Sequence, residues 1–508
     1  MKIIYIVLAV SALIITSFSG ADKGISSKIK VDGGTVEGYV AEGVTIFKGI
    51  PFAAPPTGDL RWKAPQPVVP WTGIRKCIAN PPSAMQAKPV PFMMWSKEFM
   101  APEEPLGEDC LYLNIWTAAR KAGSALPVIV WIHGGGFTGG SGTVPLYDGT
   151  EMAKKGVVFV TINYRLGVFG FLAHPSLTAE SQDKVSGNYG ILDQIAALRW
   201  VRNNIALFGG DPGNVTIDGQ SAGSFSVNAL MISPMAKGLF HRAIGESGGM
   251  FSKSMALSMD LKSAEDAGVA FADKAGAKSI SELRQKSAGD LIKLQGRWSI
   301  VVDNVVIPPS RETFIAGKQN DVPLITGWNA DDGFSFGPPL NADNFRKNAV
   351  KTYGDRAEEF LMIFPSRTED EAKQSQKIIS QMFFGYENFK WASLQSSRGK
   401  NKSWLYYFRR VPPGEPNYGA FHSAEFGYVL KTLKLWNRPF TSWDYELSDI
   451  MSSYWVNFAK TGNPNGKGLP EWPSFDDSNP QVIDFGEQVK AAPVPYLKQL
   501  QFLDYPKY

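Results

Sequence analysis

Gly219-Gln220-Ser221-Ala222-Gly223 follows the apolar, β-prone run Val215-Thr216-Ile217 and precedes a helix-like segment from Ser224 to Met231. A Gly-x-Ser-x-Gly between a strand and a helix marks a turn too tight for bulky neighbours. Gly219 and Gly223 leave room for the backbone to close there. The serine oxygen then stands above a sheet, at the start of a helix, where backbone N–H groups face developing negative charge. Five residues make a weak pattern alone, and a glycine-rich turn is the plain alternative. The flanks decide between them.

Upstream, Val128-Ile129-Val130-Trp131-Ile132 is a continuous apolar run, as expected of a strand buried on both faces. His133-Gly134-Gly135-Gly136-Phe137 follows it directly. Leu111 to Trp116 and Val157 to Ile162 read as further strands, and Gly34 to Phe47 as short alternating ones. Ile191 to Leu207 has helical spacing, with Ile195, Leu198, Val201 and Ile205 on one face, and stops at Gly209-Gly210-Asp211-Pro212. Downstream, Ala243-Ile244, Pro323 to Thr326 and Leu405 to Phe408 read as strands, and Leu447 to Ala459 as a late helix. Strands alternating with helices predict an α/β fold on a large, mostly parallel sheet. Cys77 to Glu108 is a long irregular loop rich in aromatic residues and methionine. Its apolar side chains either line a substrate entrance or pack the loop onto the body.

Composition narrows the function classes. The chain has 508 residues, 44% hydrophobic and 20% charged, with a net charge of +4. There is no long basic run, so nothing points to nucleic acid. Lys2, the apolar stretch Ile3 to Phe18, and the small residues Ser19 and Ala21 predict a secretory signal over residues 1–21 and an exported protein. An uncleaved anchor is the alternative. No second apolar run reaches the ~20 residues needed to span a bilayer. With no repeat and no flexible linker, residues 22–508 are expected to form one domain. The two cysteines, Cys77 and Cys110, can close a loop in an exported protein or stand as separate buried thiols; the bridge is the expectation. Histidines and cysteines lack zinc spacing, so no metal is expected.

The flanking motifs carry a family resemblance. Phe47 to Trp62, Glu108-Asp109-Cys110-Leu111-Tyr112-Leu113-Asn114-Ile115-Trp116 and His133 to Phe137 resemble the type-B carboxylesterases, the branch of the α/β-hydrolases that also holds the cholinesterases. So do Asn163 to Gly167, Gly187 to Ser224, Gly238 to Ile244 and Phe458 to Asn465. The resemblance covers nearly the whole chain after the signal, in family order. It implies an α/β-hydrolase fold and hydrolysis of small-molecule carboxylic esters, short-chain or aromatic, without a cofactor. Narrower alternatives are a lipase, a feruloyl esterase or a cholinesterase-like enzyme; a non-catalytic binding protein is the remote one. Cholinesterases carry a tryptophan about ten residues before the cysteine matched by Cys110, where this chain has Met100 and the nearest tryptophan is Trp95.

The family's triad runs serine, acid, histidine along the chain. Ser221 matches the nucleophile. Gly327-Trp328-Asn329-Ala330-Asp331-Asp332-Gly333 resembles the acid motif, with Asp332 where the family has glutamate and Asp331 as the runner-up. Of four histidines only His422 follows the acid, in a segment that resembles the histidine loop. A histidine base must be neutral to act, so activity is expected to rise through mildly acidic pH. The oxyanion hole is implied at the backbone N–H groups of Gly135, Gly136 and Ala222, where losing one donor typically costs about 10² to 10³ in rate. The resemblance also implies ion pairs Arg61–Glu108 and Arg165–Asp193, and makes Ser247 a supporting serine near the acid. Cys110 matches a disulfide cysteine whose usual partner position holds Ala84 here, a few residues after Cys77.

Overall fold

The computed structural model describes residues 24–252, 258–333 and 340–504. The expected signal, residues 1–21, lies outside the described residues. An eleven-stranded sheet carries the chain. Its strands in chain order are β1 (Tyr39–Ala41), β2 (Val44–Pro51), β3 (Tyr112–Thr117), β4 (Leu126–Ile132), β5 (Val158–Ile162), β6 (Gly210–Gln220), β7 (Arg242–Glu246), β8 (Leu324–Asn329), β9 (Ser403–Phe408), β10 (Gln481–Phe485) and β11 (Val489–Pro493). Across the sheet they run β11-β10-β9-β8-β7-β6-β4-β5-β3-β2-β1. The block from β10 to β5 is parallel. Antiparallel strands close both edges.

The apolar runs explain the layering. β5, β8 and β9 are buried at every position. Successive side chains point to opposite faces, so each strand feeds two cores. Val128, Val130 and Ile132 of β4 join one core with Val215 and Ile217 of β6; Ile129 and Trp131 join the other. The long helices packed on the first core include α1 (Tyr189–Asn204), α2 (Ala222–Ile232) and α3 (Glu369–Arg398). Those on the second include α4 (Ala424–Val429) and α5 (Ser442–Thr461). Gly209 ends the turn after α1 in the left-handed region, φ 82°, as its position in the stop signal predicts. β6 lies between β4 and β7, while β5 lies on the other side of β4. The chain therefore reverses direction across the sheet at β4 and β6. Ligands of such sheets bind in the crevice at the carboxyl ends of the strands around that point.

Helix α3 has no counterpart in the sequence reading, although its 30 residues are the longest helix described. Its start was available: the Thr368 hydroxyl accepts the Glu371 N–H, the Thr-x-x-Glu spacing of a helix N-terminus. Its apolar positions are interrupted by buried Ser375, Gln381, Glu387 and Asn388, which blur the helical period.

Both expected ion pairs form. Arg61 Nε donates to Glu108 at 2.6 Å, and Arg165 holds Asp193 through Nε at 2.8 Å and Nη2 at 2.7 Å. The expected disulfide does not form: Cys77 and Cys110 are separate buried thiols. Cys77 is tied by its backbone to Glu37 and Lys48, and its sulfur faces the Gly49 carbonyl oxygen at 3.7 Å. Cys110 instead lines a cavity of about 10 Å³ with Ala84, Arg61 and Arg165. Burial pushes the Cys77 thiol up to about 11 and Cys110 higher still, which leaves both unreactive. Thiol titration in denaturant should therefore count two free cysteines; a count of zero contradicts the structure. An oxidised Ala84→Cys variant should titrate one thiol, with Cys110 bridged, and gain about 2–4 kcal/mol of stability.

Candidate active site

Ser221 follows the last residue of β6 and adopts φ 57°, ψ −124°, before α2 begins at Ala222. The strained turn is held at both ends. Ser221 N–H donates to the Glu246 carbonyl at 2.8 Å, and Phe225 N–H donates to the Ser221 carbonyl at 3.0 Å. A Cβ on Gly223 would lie 1.9 Å from the Ile132 carbonyl oxygen, and one on Gly219 2.6 Å from Gly223. Both glycines are thus required by close backbone approach.

The loop after β4 packs against this turn. A Cβ on Gly134 would meet the Gln220 carbonyl oxygen at 2.8 Å. Gly135 and Gly136 take φ 106° and 61° and face solvent. Among the described residues, the N–H groups of Gly135, Gly136 and Ala222 have no carbonyl partner in the turns and helix ends around them. His133 anchors the loop: its ring stacks on Tyr164 at 4.4 Å, its Nδ1 pairs with the Gly134 carbonyl at 2.8 Å, and Tyr164 donates to the His133 carbonyl at 2.8 Å. Burial pushes its imidazole down to about 4, so it is neutral at ordinary pH.

The structure brings Asp332 and His422 together. Nδ1 of His422 lies 2.6 Å from Asp332 Oδ1, with both side chains buried. The other oxygen of Asp332 accepts the Ser247 hydroxyl at 2.7 Å and the Asn329 N–H at 2.9 Å. Three donors hold this buried side chain in place and aim it at the imidazole. The shorter side chain at this family glutamate position still reaches. Asp331 points elsewhere: it accepts the Ala420 N–H at 2.8 Å and pairs with Lys377 at 2.7 Å.

Three neighbours of His422 were not legible in the sequence. The Gln220 amide nitrogen lies 3.2 Å from Nε2, which places it beside the residue that precedes Ser221. The direction of this contact is set by the imidazole tautomer. Phe384 of α3 stacks on the imidazole at 4.4 Å. Trp95 meets it edge-on at 6.2 Å, so the tryptophan reaches the site despite its displaced position in the sequence. In the long loop Met94 and Phe99 pack onto the body, while Phe92 beside Trp95 stays exposed. Among the described residues no group of three His, Cys, Asp or Glu side chains could hold a metal ion, and no helix is long and apolar enough to cross a membrane.

A family model described as "Carboxylesterase family" matches residues 25–503. The chain belongs to this family. Relatives agree: it is 35% identical to a fumonisin B1 esterase of Sphingopyxis macrogoltabida, over 90% of this chain and 86% of that one. It is 34% identical to a para-nitrobenzyl esterase of Bacillus subtilis (strain 168), over 90% and 94%. A solved PNB esterase superposes with a TM-score of 0.81 at 31% identity, covering 95% of this chain and 100% of that one. This carboxylesterase is accordingly an α/β-hydrolase fold and a carboxylic ester hydrolase.

Two outcomes test the geometry. Gly223→Ala in this carboxylesterase should cost at least about 3 kcal/mol, because backbone and not a flexible side chain blocks the methyl group; a thermal midpoint equal to wild type would refute the close approach. His133 stays neutral in the fold at pH values where the unfolded chain protonates it. Its contribution is therefore present above about 6.5 and lost as pH falls through about 4, up to about 3 kcal/mol. Denaturant titrations should show that acid slope in wild type and a flatter one in His133→Asn.

Proposed function

We propose that the chain is an exported serine carboxylesterase in which residues 22–508 form one catalytic domain and Ser221, Asp332 and His422 act as its triad. The observation that carries this is the buried carboxylate–imidazole pair of Asp332 and His422, beside the strained turn that presents Ser221. The Ser221 oxygen attacks the ester carbonyl as His422 Nε2 takes its proton. Asp332 holds the imidazole by Nδ1 and stabilises its charged form. The N–H groups of Gly135, Gly136 and Ala222 donate to the tetrahedral oxyanion. His422 returns the proton to the leaving alcohol, and water activated by the same nitrogen releases the acid. Export rests on Lys2 and the apolar stretch Ile3 to Phe18.

The substrates are short-chain or aromatic esters. Trp95 and Phe384 flank the imidazole that serves the leaving group, which favours an apolar or aromatic alcohol there. A relative named for a para-nitrobenzyl ester supports the same class. The test is initial rates on nitrophenyl esters of increasing acyl length, with one benzyl, one feruloyl and one choline ester. Wild type should turn over the short and benzyl esters fastest, and Ser221→Ala should fall by about 10⁴-fold or more. A Ser221→Ala variant as fast as wild type would remove the proposed nucleophile.

A further inference from the structure

Beneath the site, three carboxyl groups have no cationic partner among the described residues. Asp218, Glu246 and Glu425 are each 0% exposed. Asp218 and Gln220 share one face of β6, the face of α5, by the two-residue alternation of a strand. Glu246 ends β7 and is the register partner of Gln220. Glu425 lies on α4, three residues after His422. Glu246 accepts the Trp455 indole N–H at 2.9 Å, and Glu425 accepts the Asn329 amide. Among the described residues, both oxygens of Asp218 and one each of Glu246 and Glu425 make no well-formed hydrogen bond; the donors near Asp218 are the Trp455 indole and the Gly219 N–H, both neutral. The Tyr406 hydroxyl, also 0% exposed, has no hydrogen-bond partner among the described residues either, and lies within electrostatic reach of all three and of Asp332.

The groups facing the three carboxyls are each other, Asp332, Tyr406, Tyr147 and the neutral Trp455 and Asn329. None is a lysine or arginine. Asp332 alone is compensated, by His422, Ser247 and the Asn329 N–H. Buried charges without partners cost several kcal/mol each, so the other carboxyls keep their protons. A protonated carboxyl can donate as well as accept, so each of the three gains a donor when neutral.

The pair Asp218 and Glu246 bears directly on the turn. Asp218 lies three residues before Ser221 on β6, and the Glu246 carbonyl on β7 is what holds the Ser221 N–H. We propose that Asp218 and Glu246 are positioning residues for Ser221: neutral carboxyl groups on the two strand ends joined at the turn, whose joint ionisation forces those ends apart. This goes beyond the proposed function but rests on Ser221 as nucleophile. Burial first, and then the neighbouring carboxyls, push all three well above the usual carboxylate range. The folded protein therefore holds protons that the unfolded chain releases near pH 4. That stabilisation is complete in acid and is lost as pH rises through the folded values. A drop in kcat on the alkaline side follows, reversible because the turn is displaced before the protein unfolds.

The test measures kcat and KM against pH from neutral to strongly alkaline for the full chain, Asp218→Asn and Glu246→Gln. Infrared difference spectra of the protonated-carboxyl band accompany it. Ser221→Ala serves as the blank and checks the nucleophile separately. In each variant the alkaline fall of kcat, relative to that variant's own maximum, should move up by about one pH unit or more. The wild-type band should be present at neutral pH, fade in step with kcat, and lose intensity in each variant. Alkaline limbs that coincide in all three proteins, or a neutral-pH spectrum with no carboxyl band lost, overturn the proposal. The variants probe the pair from opposite strands, so one that fails to fold leaves the other decisive. If both fail, wild-type kcat and band that do not titrate together overturn it.

Discussion

The carboxyl ends of β4 and β6 approach so closely that a methyl group on Gly223 would lie 1.9 Å from the Ile132 carbonyl oxygen. This backbone contact fixes the rest of the site. It forces the turn at Ser221 into a conformation that side chains rarely adopt, and the strain is balanced by the hydrogen bond to Glu246 and the packing of α2. It also seats the glycine loop after β4 against the turn, so that exposed N–H groups and the serine share one crevice. The sheet order supplies the crevice, because β4 and β6 are where the chain changes direction across the sheet.

Around this fixed point the site is assembled from distant chain segments by buried polar contacts. Asp332 comes from the loop after β8, His422 from the loop before α4, and Ser247 from the end of β7. Asp332 and Ser247 are held by backbone as well as side chain: Asn329 N–H steadies Asp332, and Ser247 N–H donates to the Gly327 carbonyl. Farther out, Arg61–Glu108 and Arg165–Asp193 pin loops to the body with charge-assisted hydrogen bonds. His133 does the same for the glycine loop by stacking and by hydrogen bonding while remaining neutral.

What was legible in the sequence is what demands particular residue types in one contiguous stretch. The turn at Ser221 needs glycines at fixed offsets, and the buried strands need unbroken apolar runs. Both were readable, as was His422 from its order after the acid. Contacts between distant segments were not. Nothing local tells that Gln220 meets a histidine 202 residues away, or that Phe384 covers its ring. Helix α3 was hidden because its buried polar residues break the apolar period. The cysteines misled for a related reason: export chemistry favours a bridge, but Cys77 and Cys110 occupy separate sites, and the position that shares a cavity with Cys110 is Ala84.

The central claim is that the strained turn presents a serine activated by the Asp332–His422 pair. The most direct measurement is covalent labelling with a fluorophosphonate, followed by peptide mapping in the mass spectrometer. The account predicts one adduct per chain, on Ser221, formed far more slowly in His422→Ala. An adduct on a different residue, or labelling of Ser221 at an unchanged rate without His422, would contradict it.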